Sequence, residues 1–231
     1  MNSTLLKIIK SREDISDYLF HFTKRNNARE TLHKIIDNNS LKDIEEKGFL
    51  CFTESPITLL IGMFKIFEEY PDPMYSPYGI AVKKDYFFNL GGRTVVYGSS
   101  NDKKELLPTS QWRFEEHNPK IRDFSWLREW RLNIKELKLD KENFFVITKT
   151  KKELEEIAFD KSNIIDIEFD GDVSDGQFWG SATGIIGRSF KGISMEDLEE
   201  LNKLSKEELE IILSKQNFDE ISGTNLGSFV M

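Results

Sequence analysis

The chain has 231 residues, 39% of them hydrophobic and 18 of them Phe, enough for one sizeable core. Its formal net charge is -8 and its pI is about 5.1, a mixed acidic balance that argues against broad, non-specific binding to nucleic acid or to an anionic membrane. A single cysteine, Cys51, excludes an intrachain disulfide.

The N-terminal stretch "MNSTLLKIIKSRED" is too short and too polar for a signal peptide. No apolar run approaches the roughly 20 residues of a membrane span, so a cytoplasmic location is expected. The histidines, His21, His33 and His117, lack metal-ligand spacing, and no metal site is expected.

From Tyr18, "YLFHFTK" alternates as a strand does. Tyr18, Phe20 and Phe22 take one face, and Leu19, His21 and Thr23 the other. "NNARETLHKIIDNN" predicts a helix, with Asn27 and Glu30 as a capping box and Ala28, Leu32, Ile35 and Ile36 as its apolar stripe. "SLKDIEEKG" predicts a short polar helix ending at Gly48. "FLCFTES" predicts a strand closed by Pro56, and "ITLLIGMFKIFEEY" a buried helix. "PDPMYSPYG" is a loop rich in Pro and Tyr.

"YGIAVKKDYF" and "RTVVYGS" predict strands separated by Gly91 and Gly92. Residues 105–126 are irregular and aromatic. "LREWRLNI" and "FFVITKT" predict strands, "KKELEEIAF" a helix and "IIDIEF" a last strand. The Gly-rich residues 170–192 follow. Two helices, "SMEDLEELNKL" and "SKEELEIILSKQ", each open on a Ser N-cap, and the final ten residues read as a loose tail. Strands and helices do not alternate regularly, which predicts an α+β fold rather than a doubly wound parallel sheet.

Three groups of residues carry the functional reading. In "LREWRLNI", Glu129 and Arg131 share one face of the strand, with Trp130 and Leu132 on the other. A carboxylate fixed in a sheet can stabilise positive charge developing on a substrate; the plainer alternative is a structural ion pair. His21 and Thr23 lie about 7 Å apart on one face and could meet one polar ligand; the alternative is a core histidine bonded to a backbone carbonyl. Tyr75 and Tyr78 could stack on a planar ring, or simply pack their loop. "GSATGIIGRS" lacks phosphate-loop spacing. "DGDVSDG" lacks the Gly and the closing Glu of a calcium loop. Cys51 has no adjacent base to make it a nucleophile.

The order "HFT", "GFLCFTESPI", "YGIAV", "VVYGS", "EWRL" resembles a group of bacterial proteins that includes the abortive-infection AbiGi family. These in turn look like distant relatives of the ADP-ribosyltransferase fold of DarT-type toxins. The resemblance covers about residues 18–150. It implies an α+β domain over residues 1–192, with a split mixed β-sheet and flanking helices, and a helical C-terminal extension over 193–231. It also implies NAD as the substrate, with ADP-ribose transferred to a macromolecule or NAD hydrolysed, in antiphage defence or a toxin-antitoxin pair. His21 would bind a ribose with Thr23 assisting, Tyr78 or else Tyr75 would stack on nicotinamide, Glu129 would hold a ribose hydroxyl and stabilise the oxocarbenium-like transition state, and Arg131 would meet a phosphate. For that chemistry His21 and Glu129 should line one cleft.

The AbiGi resemblance also implies a different class. A catalytically silent, antitoxin-like protein of the same fold would neutralise a cognate partner, and the acidic helices of residues 194–216 would suit a basic surface.

Overall fold

The computed structural model describes residues 16–121, 123–140, 142–158, 190–205, 207–208 and 211. The expected strand "IIDIEF", most of the Gly-rich stretch and the final tail lie outside them. Strand β1 (Tyr18–Phe22) leads to helix α1 (Ala28–Asp37), which buries Ala28, Leu32 and Ile35 at helical spacing. Asn27 precedes the helix but makes no side-chain cap, contrary to the expected capping box. Residues 40–42 form strand β2 (Ser40–Lys42) instead of a helix, because Leu41 is drawn into the core opposite Leu137 of β9 (Glu136–Lys138). Here tertiary pairing overrides local propensity.

Strand β3 (Leu50–Thr53) ends where Pro56 starts helix α2 (Ile57–Glu68). Strand β4 (Gly79–Lys83) stops at Lys83, and the chain turns into helix α3 (Lys84–Asn89), which seats Phe87 in the core. One long strand was expected there. The expected strand "RTVVYGS" divides into β5 (Arg93–Thr94) and β6 (Val96–Gly98), which pair in different sheets. Helix α4 (Ser100–Glu105), strands β7 (Phe114–Glu116), β8 (Glu129–Leu132) and β10 (Phe144–Thr148), helix α5 (Lys151–Ala158), strand β11 (Gly192–Ser194) and helix α6 (Met195–Asn202) complete the described chain. The Ser194 hydroxyl caps α6 by accepting from the Asp197 N–H at 3.0 Å, as expected.

Seven strands form one mixed sheet in the order β11-β10-β4-β1-β3-β8-β5, parallel only at β10–β11. The fold is α+β. Strand β11 crosses the expected boundary at residue 192, so Gly192–Ser194 and α6 belong to the sheet's own core. Helices α2 and α6 cover one face over Tyr18, Phe20, Phe22, Phe145 and Ile147. Helices α1, α3 and α5 cover the other over Leu19, Ile80, Val82, Phe52 and Leu132. Truncating a fully buried side chain such as Phe20 or Phe145 is expected to cost about 3–5 kcal/mol.

The ladders are uneven. Strands β1 and β4 share five residue pairs, whereas β1 and β3 share one, Phe20 with Thr53. Gly79 lets β4 approach β1, since a Cβ there would stand 2.2 Å from the His21 carbonyl oxygen. Beyond Phe20–Thr53, β1 stays with β4 and leaves β3.

Candidate functional site around Glu129

Glu129 stands on β8, opposite Thr53 in register, and Arg131 stands opposite Cys51. All four share a face, because paired residues point the same way and the period along a strand is two. Thr53 also pairs with Phe20 of β1, which places this face on the α2 side of the sheet.

The segment Thr53–Ser55 fastens the chain that leads into Glu129. The Thr53 hydroxyl donates to the Leu127 carbonyl, the Ser55 hydroxyl to the Trp126 carbonyl, and the Glu54 N–H to the Arg128 carbonyl at 3.2 Å. The Glu54 carboxylate accepts from the Trp130 indole at 2.7 Å and from Lys84 at 2.8 Å. These bonds hold Arg128 in the left-handed region, at φ 45°, one residue before Glu129.

Arg131 is spent inside the protein. Its Nε donates to Glu129 at 2.8 Å, one Nη donates to the Trp112 and Phe114 carbonyls at 3.1 and 2.9 Å, and the other Nη donates to Glu115. The guanidinium lies 4.4 Å over the Phe49 ring, and the side chain is 7% exposed. Arg131 therefore orients Glu129 and has little left for a phosphate.

Three further groups surround Glu129. Burial, reinforced by the Glu129 carboxylate, pushes the Cys51 thiol up to about 12 and the Tyr75 and Tyr97 phenols each up to about 12. All three stay protonated at neutral pH. Tyr97 donates to the Phe124 carbonyl at 3.3 Å and sets its ring against His117. Tyr75 packs edge-on against Phe67. The result is a fixed, 13% exposed carboxylate among neutral hydroxyl and thiol groups.

The other expected site residues go elsewhere. Tyr78 packs on the opposite face, and its hydroxyl donates to Glu153 of α5 at 2.8 Å. Tyr75, the second candidate in sequence, is the one of the two whose phenol feels the Glu129 charge. Thr23 is 3% exposed. Its hydroxyl lies 2.9 Å from the Ala28 carbonyl and 2.8 Å from that of Tyr78, while its backbone bonds Tyr78 and Ser76. It fastens the tyrosine loop to the end of β1.

His21 pairs with Ile80 of β4, which places its side chain on the face of Leu19 and Phe52, away from Glu129. The expectation that His21 and Glu129 line one cleft fails because Phe20 pairs with Thr53 and Thr53 with Glu129, so Glu129 shares the face of Phe20 and His21, the next residue, takes the other. The imidazole instead leans into the place where β1 and β3 part. A continued register would set Phe22 against Cys51; the His21 Nδ1–H takes the Cys51 carbonyl there, at 2.8 Å. Burial lowers the His21 pKa, so the ring is neutral, with Nε2 left as an acceptor.

His21 meets β3 at the Cys51 carbonyl, whereas Glu129 stands across from Thr53, two residues further along that strand. Glu45 acts electrostatically on both His21 and Tyr75, and Lys47, paired with Glu45, feels Cys51 and Glu129. Among the described residues no group of three or more His, Cys, Asp or Glu could hold a metal ion. No helix among them is long and apolar enough to cross a membrane.

Sequence reasoning passed over Tyr97, and it weighed Cys51 only as a nucleophile. Aligning "CFT" against "EWR" as an antiparallel pair would have set Cys51 beside Arg131. Tyr97 lies on a strand outside the main sheet, and no local pattern announces its place near Glu129. No protein-family model, curated protein or solved structure matches the chain.

Proposed function

We propose that the chain is an ADP-ribosyltransferase-like protein that takes NAD at the end of the sheet where β1 and β3 part. One observation carries the reading: the Glu129 carboxylate is fixed by Arg131 on an interior strand of the sheet and remains 13% exposed. In the proposed reaction the bond between ribose C1′ and the nicotinamide nitrogen breaks. Its electron pair leaves with nicotinamide, and positive charge develops on the sugar. A held carboxylate lowers the energy of that charge without reorganising. A hydroxyl or other acceptor, or water, then adds at C1′ and loses its proton.

Within this reading Tyr75 takes the stacking role, Arg131 orients Glu129, and His21 offers its Nε2 lone pair from the far side of the parting. The setting that the sequence resemblance implies is antiphage defence or a toxin-antitoxin pair, with an unidentified macromolecule as acceptor.

A second reading is a catalytically silent binding protein of the same fold. It draws support from the opposite faces taken by His21 and Glu129. The two readings separate in one assay. Purified protein incubated with NAD should release nicotinamide, and Glu129→Gln should slow the release about 100-fold. No release above the uncatalysed background, with and without a cell extract as acceptor source, would favour the silent reading.

A further inference from the structure

Arg131 is spent on Glu129, Glu115 and two backbone carbonyls, so the phosphates of a nucleotide need another partner. The end of the sheet where β1 and β3 part supplies one. Phe20 faces Thr53 in an antiparallel pair, so the chain after Phe22 and the chain before Leu50 leave the sheet at the same end. Lys24 lies on the first of these and Glu45 and Lys47 on the second. The Glu45 carboxylate joins them: one oxygen stands 3.5 Å from the Lys24 ammonium, and the other meets the Lys47 ammonium. One carboxylate thus bridges two cations across the parting.

Stability does not account for this arrangement. The Lys24, Glu45 and Lys47 side chains are 43%, 47% and 45% exposed, and ion pairs that open to water contribute little. Yet the backbone beside them is held in an unfavourable conformation. Arg25, next to Lys24, and Glu46, between Glu45 and Lys47, both lie in the left-handed region, at φ 66° and 54°. The Arg25 N–H donates to the Pro73 carbonyl at 2.9 Å, and the Gly48 N–H donates to the Asp43 carboxylate at 2.6 Å, which fixes both turns. The two ammoniums also act on the groups already placed around the parting: Lys24 on His21, and Lys47 on Glu129 and Cys51.

We propose that Lys24 and Lys47 form the subsite for the diphosphate of NAD, with Glu45 holding the two ammoniums in place until the nucleotide displaces it. The subsite rests on the NAD reading above. Charge balance favours the exchange. One carboxylate against two ammoniums leaves one positive charge over, whereas a diphosphate brings one negative charge on each phosphoryl group and neutralises both. Lysine suits this role, because an ammonium on a flexible stem meets a phosphate oxygen as a point charge and can follow it when Glu45 gives way.

The test uses the full chain and ADP-ribose, which carries the diphosphate but no nicotinamide, in titration calorimetry. Lys24→Gln and Lys47→Gln should each weaken binding about tenfold, with melting temperatures close to that of the unaltered chain. Glu45→Gln should tighten binding severalfold, because the competing carboxylate is gone. No binding of ADP-ribose to the unaltered chain, an unchanged affinity in either lysine variant, or a Glu45→Gln variant that binds more weakly overturns the proposal; the last result would make the three residues a clasp for their loops. Nicotinamide release from NAD by the unaltered chain is scored separately. Release together with ADP-ribose binding that ignores the lysines removes the subsite and leaves the NAD reading standing. Binding through the lysines without release keeps the subsite and removes the transferase reading.

Discussion

The imidazole of His21 donates through Nδ1 to the carbonyl oxygen of Cys51 at 2.8 Å, at the point where the backbone ladder between β1 and β3 has already ended. A side chain thus satisfies a strand carbonyl that a neighbouring strand would otherwise take. The bond requires the Nδ1–H tautomer, since a carbonyl can only accept.

This arrangement predicts a pH dependence of stability. The folded pKa of His21 is lowered from its ordinary 6.5 by burial, so below that value the unfolded chain binds the proton more readily. Stability contributed by the neutral ring is therefore complete above about pH 6.5 and falls as the pH drops from there towards the folded pKa, by at most about 1.4 kcal/mol per pH unit. Urea unfolding at pH 7.5 and 5.5 measures the slope. Subtracting the slope of His21→Gln should remove this component; an identical slope in the two proteins would assign the dependence to other groups.

Arg131 should prove structural. Arg131→Met leaves Glu129 unpaired in a mostly buried place and strips the Trp112 and Phe114 carbonyls of a donor. The expected loss is about 3–5 kcal/mol. Arg131→Lys should recover only part of it, because an ammonium cannot reproduce the planar fork. Full stability in Arg131→Met by denaturant unfolding would contradict the assignment.

The two tyrosines should separate. Tyr78→Phe removes the bond to Glu153 and should cost about 1–2 kcal/mol of stability with turnover kept. Tyr75→Ala removes the proposed stacking ring and should cost about tenfold in NAD turnover. The reverse pattern would return the stacking role to Tyr78.

Much of this was legible in residues 18–22 and 129–132. Their alternation identified both strands, the core faces of Tyr18, Phe20 and Phe22, and the shared face of Glu129 and Arg131. Alternation could not reveal that His21 and Glu129 take different faces. That depends on pairing partners, Ile80 for one and Thr53 for the other, which lie 59 and 76 positions away in sequence. The strand at Ser40–Lys42 escaped for the same reason, since only its distant partner β9 makes it extended. The helix at Lys84–Asn89 escaped because Tyr86 and Phe87 read as the strand resuming after the charged Lys83, Lys84 and Asp85. The Ser194 cap, by contrast, depends on three neighbouring residues and was readable directly.

Glu129→Gln keeps an acceptor for the Arg131 Nε and removes the charge. It should lose about 1–3 kcal/mol of stability while remaining folded, which makes it the vehicle for trapping uncleaved NAD. The most direct measurement is a crystal structure of Glu129→Gln with NAD bound. The nicotinamide ring should lie against Tyr75, with the adjoining ribose within hydrogen-bond reach of residue 129. Nucleotide bound on the α1 side of the sheet, beside Tyr78 and Glu153 and out of reach of residue 129, would contradict it.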